Sequence, residues 1–176
     1  VVWMDVVQML LYIAGALFAI ASLLGSVPGD WWQQAVAAGK TDLIDLGIGQ
    51  SISAWITQPY TFATAVIGGA IFSMASHGTD QLIVQRLLAC RSETDSQKAL
   101  IGSAFVVMLQ FALFLAVGLL LWNHYGGASI EALGLRRTDE IFPKYIIEGL
   151  PMGVSGLLLA GIVAAAMSSL SSSLNA

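Results

Sequence analysis

Four stretches of this chain are apolar for long enough to cross a bilayer, and that narrows the possible folds more than any other feature. About 20 residues of helix span the hydrocarbon core, and the stretches run from roughly residue 4 to 26, 59 to 86, 99 to 122 and 150 to 176. A backbone in lipid must satisfy its own polar groups, so each stretch reads as a helix. Composition agrees. Of the 176 residues 57% are hydrophobic and only 10% charged, where soluble domains carry roughly 25% charged residues. So few charges cannot clothe a water-facing surface. Lys+Arg number 7 against 11 Asp+Glu, which leaves no basic surface for nucleic acid. One cysteine permits no internal disulfide. The expected fold class is all-α, a polytopic helical membrane protein with about four transmembrane helices in one domain over residues 1–176.

The first stretch stops at the breaker cluster Val27-Pro28-Gly29-Asp30. Trp31, Trp32 and Trp55 follow beside Lys40, Asp42 and Asp45, a composition suited to the headgroup level and to a short surface helix. The third loop carries Glu131, Arg136, Arg137, Asp139, Glu140 and Lys144 and lies outside the hydrocarbon. Arg86, Arg91 and Lys98 crowd the short second loop, which favours placing that loop in the cytoplasm. The chain opens on Val1-Val2-Trp3, and its last residues, Ser173-Leu174-Asn175-Ala176, still follow a helical pattern. It reads as the interior of a longer membrane chain, whose other helices would be its nearest partners.

Polar residues at membrane depth are the informative ones, because they are expensive there without a partner. In the fourth stretch Ala165, Ser168, Ser169 and Ser172 recur at i, i+3, i+4 and i+7, one helical stripe. Two adjacent hydroxyls with a carbonyl one turn earlier offer hard neutral oxygens to a small alkali cation. A packing reading stands beside it, since Gly156, Ala160, Ala164, Ser168 and Ser172 form a small-residue ladder that lets membrane helices approach closely. In the second stretch Ser73, Ser76, His77 and Asp80 make a similar stripe, flanked by Gly68-Gly69 and Gly78. It either lines a solute cavity or approaches the solvated interface. Asp5 sits at the interface with Trp3 or faces the bundle and meets a cation such as Arg86. Gln8 and Gln110 read as hydrogen-bonding residues between helices. The nucleophile-elbow, zinc-helix and phosphate-loop motifs are absent, so the chain reads as no enzyme. No metal-ligand cluster stands out either; His124, beside a loop, is the second of two histidines.

At Gly78-Thr79-Asp80-Gln81-Leu82-Ile83-Val84-Gln85-Arg86-Leu87-Leu88-Ala89 the chain resembles the solute:sodium symporter family, whose sixth core helix ends in a similar signature. Trp3-Met4-Asp5-Val6-Val7-Gln8 looks like the opening of the family's fifth core helix. The run from Gly156 to Asn175 looks like its eighth. The three motifs occur in the family's order and cover essentially the whole chain.

The resemblance implies a LeuT-type fold of two inverted five-helix repeats, of which this piece would be core helices five to eight. It implies a sodium ion held by the Ala165 carbonyl and the Ser168 and Ser169 hydroxyls, with other ligands from the first core helix. It also implies solute-facing positions at Ser73, Ser76 and His77, and an ion pathway or gate involving Asp5, Asp80 and Arg86 near a cytoplasmic mouth. Sugar-transporting members carry a lysine where this chain has Val107, and bulkier groups on helix six, which argues against a hexose. The function implied is sodium-coupled symport of a small polar or anionic solute by alternating access, in a multi-pass protein of the cell or plasma membrane. Two alternatives stay open, a family-like sensor domain fused to a signalling kinase and a proton-coupled transporter using His77 or Asp80.

Overall fold

The computed structural model describes residues 2–42, 44–47, 49, 51, 53, 57 and 61–174. Trp55, Pro59 and Asn175 lie outside the described residues, as does the Ser172 side chain. The described residues form helices and no strand. They are α1 (Val2–Leu24), α2 (Trp31–Ala37), α3 (Phe62–Thr79), α4 (Gln81–Leu88), α5 (Glu93–His124), a 3-10 turn (Thr138–Glu140), α6 (Ile141–Glu148) and α7 (Met152–Leu174). Among the described residues three helices are long and apolar enough to cross a membrane, at Trp3–Leu24, Glu93–His124 and Met152–Ser171. The chain divides into two compact units, residues 1–38 with 103–175, and residues 39–102.

In the first unit α1 and α7 pack antiparallel. Asp5 meets Ser168, Leu11 lies against Gly161 and Gly15 against Leu158, so numbers rise along one helix as they fall along the other. In hydrocarbon a leucine gains little by leaving lipid, so close packing and polar contacts hold such pairs. The face α7 turns to α1 runs through Leu158 and Gly161 to Ser168. Gly156 and Ala160 of the expected ladder are exposed. The ladder therefore enters this contact through Ser168 and not through Gly156 or Ala160, and Leu158 and Gly161, which lie off it, join from the same side.

The buried cluster gathers Ala16, Ala19 and Leu23 of α1 with Val117, Leu120 and Leu121 of α5, Tyr145 and Ile146 of α6, and Leu150 and Leu158. Hydrogen bonds fix its edge. The Tyr145 hydroxyl donates to Ser22 Oγ at 3.1 Å. Ser26 Oγ donates to the Leu23 carbonyl at 3.0 Å, so it accepts from His124 Nδ1 at 3.1 Å. The buried Ser155 hydroxyl lies 2.6 Å from the Ile146 carbonyl and 3.1 Å from that of Leu150, tying α6 to the start of α7. Lys144 and Glu148 pair at 2.8 Å on the outer face of α6, which raises the Lys144 pKa; burial raises that of the nearby Tyr125 phenol.

A methyl group at Gly149 would overlap the Tyr145 ring, which Ser22 holds in place. Gly149→Ala should therefore lower the thermal midpoint of the detergent-solubilised full-length protein by several degrees. Overpacking of this kind destabilises by ~1–3 kcal/mol. An unchanged midpoint would show that the ring can move aside.

The second unit corrects the expected span from 59 to 86. Its helix does not run on to Arg86. α3 ends at Thr79, Asp80 adopts extended geometry (φ −70°, ψ 113°), and α4 starts afresh at Gln81. The sequence supplies the reason. Gly78 and Thr79 are weak helix formers, and Asp80 is suited to the N-cap position, where its carbonyl accepts from Val84 N at 2.9 Å. With 18 residues and a polar last third, α3 is not among the three candidate spans. It begins at Thr61, fully buried, whose hydroxyl caps Thr64 N. α5 differs the other way, starting six residues before the expected 99. Ser92 Oγ caps Asp95 N at 3.2 Å, and Glu93 and Asp95 suit the positive end of the helix.

Candidate functional site

The expected ion residues lie on the last turns of α7, in the first unit. Ala165 and Ser168 are half-buried and Ser169 is exposed. Ser168 Oγ donates to Asp5 Oδ1 at 2.9 Å. A hydroxyl has one proton and two lone pairs. Committing the proton to Asp5 leaves the lone pairs of Ser168 available to a cation, with a carboxylate directly behind it. Asp5, half-buried on the first turns of α1, therefore faces α7. The sequence left its orientation open; the structure turns it toward the serines.

Gln8 joins this group, although the sequence pattern suggested only a helix-to-helix hydrogen bond for it. It is 7% exposed, and its side chain shows no hydrogen bond to another described residue. With Met4, Ala164, Met167, Ser168 and Ser171 it lines a crevice of about 400 Å³. The available signal was the spacing, since Asp5 and Gln8 are three apart and share a helical face. A second crevice, of about 350 Å³, lies among Tyr12, Gly15, Gln110, Phe114, Phe142 and Leu158. Its walls are mostly apolar, with Gln110 and Tyr12 as the polar residues among them.

Ser73, Ser76 and His77 belong to the second unit, on the last two turns of α3. Ser73 is exposed, while Ser76 and His77 are half-buried. His77 Nδ1 lies 3.1 Å from the Ser73 carbonyl oxygen and 3.4 Å from Ser73 Oγ. Asp80 marks the break three residues on, and the exposed Arg86 sits on α4. Thus the structure joins Asp5 to Ser168 within the first unit, while Asp80 and Arg86 lie in the second unit with Ser73, Ser76 and His77. No group of three or more His, Cys, Asp or Glu suited to a transition metal occurs among the described residues.

The profile of the sodium:solute symporter family matches residues 1–176. A sodium/sialic acid symporter of Proteus mirabilis is 30% identical over 176 residues, covering 99% of this chain and 35% of the relative. The human sodium/iodide cotransporter is 29% identical over 182 residues, covering all of this chain and 27% of its own. The chain thus spans about a third of the length of the curated relatives it matches, which are transporters and not enzymes. Among solved structures, a sodium-coupled sialic acid symporter in a substrate-bound outward-open state superposes with a TM-score of 0.78 at 28% identity, covering 98% of this chain and 36% of that one. This likeness gives the chain the LeuT-type helical fold that its motifs implied.

Proposed function

Because this chain belongs to the sodium:solute symporter family, whose members are integral membrane proteins, we propose that the full-length protein is a sodium-coupled secondary symporter. It would import a small polar or anionic solute by alternating access. The observation that carries this reading is the Ser168–Asp5 hydrogen bond, because it orients a neutral ligand oxygen and places a negative charge behind it.

Sodium lies against the Ala165 carbonyl and the Ser168 and Ser169 hydroxyls, and the rest of its shell comes from elsewhere in the full-length protein. Asp5 draws the ion toward the groove between α1 and α7 when it leaves the serines. Asp80 and Arg86 act at the gate, beside the break that separates α3 from α4. Ser73, Ser76 and His77 face the solute. Sodium biases the transport cycle only by its difference in affinity for the two access states, so coupling needs a site that one state assembles better.

Radiolabelled sodium titration of the purified full-length protein should saturate. A sodium gradient at constant pH should then drive uptake into proteoliposomes. Uptake driven by a pH gradient alone would overturn the proposal in favour of proton coupling. Solute binding without flux would favour a sensor.

A further inference from the structure

Gln110 does not make the helix-to-helix hydrogen bond that the sequence suggests for it. Its side chain shows no hydrogen bond to another described residue, and neither does the Tyr12 hydroxyl. Tyr12 stands near the middle of α1 and Gln110 near the middle of α5, and both are half-buried. Polar groups at membrane depth are expensive without a partner. Both line the crevice of about 350 Å³ that α1, α5, α6 and α7 form within the first unit.

The walls say what would fit. The volume falls within the range of small-molecule sites. One turn of a helix, ~10 Å across and ~5.4 Å tall, already takes up more than the crevice holds. No Asp, Glu, Lys, Arg or His lines it, so a charged ligand would lose its water and meet no counter-charge. Phe114 and Phe142 stand edge to face with ring centroids 6.2 Å apart, which offers a further ring both an edge and a face to pack on. The Tyr12 hydroxyl and the Gln110 carboxamide can each donate and accept. An uncharged wall with two dipolar groups complements a neutral ligand with one. A lipid acyl chain matches the apolar area and leaves both dipoles unmet.

We propose that this crevice binds a small uncharged aromatic molecule bearing a hydroxyl, which pairs with Tyr12 and Gln110 while its ring packs on Phe114 and Phe142. The crevice shares no lining residue with the one at Gln8 and Ser168, and Ser73, Ser76 and His77 take no part in it. The site is therefore separate from those assigned to ion and solute, and it does not depend on either assignment.

Equilibrium dialysis of the full-length protein in lipid nanodiscs tests this with radiolabelled thymol, using empty nanodiscs as the blank. p-Cymene is the same molecule without its hydroxyl, and 4-isopropylbenzoate carries a charge instead. Thymol should bind saturably and about tenfold tighter than p-cymene at equal concentration in the bilayer, the difference one hydrogen bond makes. 4-Isopropylbenzoate should not compete. This comparison needs no substitution. Tyr12→Phe with Gln110→Met keeps the shape of the walls and should bring thymol down to the level of p-cymene. The thermal midpoint of that variant without ligand should stay level or rise, because two unpartnered polar groups are gone. Ile162→Trp puts bulk into the crevice with the polar pair intact and should abolish binding of both compounds. Thymol binding matched by p-cymene or by 4-isopropylbenzoate would overturn the proposal, the first case leaving a cleft for lipid chains. Absence of saturable thymol binding would overturn it too. If the midpoint of the double variant then also fell, another helix of the full-length protein would be the partner of Tyr12 and Gln110.

Discussion

Full-length protein carrying Ser168→Ala and Ser169→Ala should bind no sodium saturably and should lose sodium-dependent uptake while keeping its fold. Each substitution exchanges a hydroxyl for a hydrogen of little volume. Alanine also favours the helix more than serine does, so α7 stays formed. The loss falls on the ion. A contact to a charged group is worth ~1.5–3 kcal/mol, so removing two raises Kd by roughly 10²–10⁴-fold. Radiolabelled titration measures it, and a thermal melt checks the fold. Normal sodium affinity in a folded double mutant would return the two serines to helix packing.

Asp5→Ala should weaken sodium binding nearly as much, and by a separable cause. A carboxylate bonded to a ligating hydroxyl lies about 5 Å from the cation, which at an effective dielectric of 20 amounts to about 3 kcal/mol, or roughly a hundredfold in Kd. Asp5→Asn keeps an oxygen to accept from Ser168 but removes the charge. If charge dominates, the asparagine variant should fall close to the alanine one. If orientation of the Ser168 hydroxyl dominates, asparagine should stay close to the parent. Both variants binding sodium as the parent does would detach Asp5 from the ion altogether.

Much of this was legible in the sequence because hydrocarbon imposes a length. α1 ends and α7 begins within about two residues of the expected positions, near the breakers Pro28 and Pro151. The early start of α5 was not legible from hydropathy, which measures the hydrocarbon crossing and not the helix. Its first two turns are polar, and the sign to read was the cap Ser92 with Glu93 and Asp95. The break at Asp80 was likewise written in Gly78-Thr79-Asp80, yet a stripe at i, i+3, i+4 and i+7 passes through it unchanged. Periodicity cannot see one residue turned extended. For the site, spacing placed the serines on one stripe but not the partner they face. That Asp5 meets Ser168 depends on the antiparallel register of α1 and α7, set by Leu11 against Gly161 and Gly15 against Leu158. No single helix encodes that register. For the same reason Gln8 could be read as a residue between helices but not as a neighbour of Ser168.

The interruption at Asp80 also bears on how this part of the chain can move. Bending a continuous helix tears backbone hydrogen bonds, and each torn bond in lipid leaves groups with no water to satisfy them. Here the two sides are finished separately. The Thr79 hydroxyl closes onto the Ala75 carbonyl at 2.6 Å on one side, and the Asp80 carbonyl takes the Ile83 and Val84 amides on the other. No ladder crosses the joint, so changing the angle between α3 and α4 turns the torsions of Asp80 and breaks no helical bond. The segment is an elbow whose flexing is resisted only by the side chains around it, and a solute resting on the last turn of α3 would sit at the pivot.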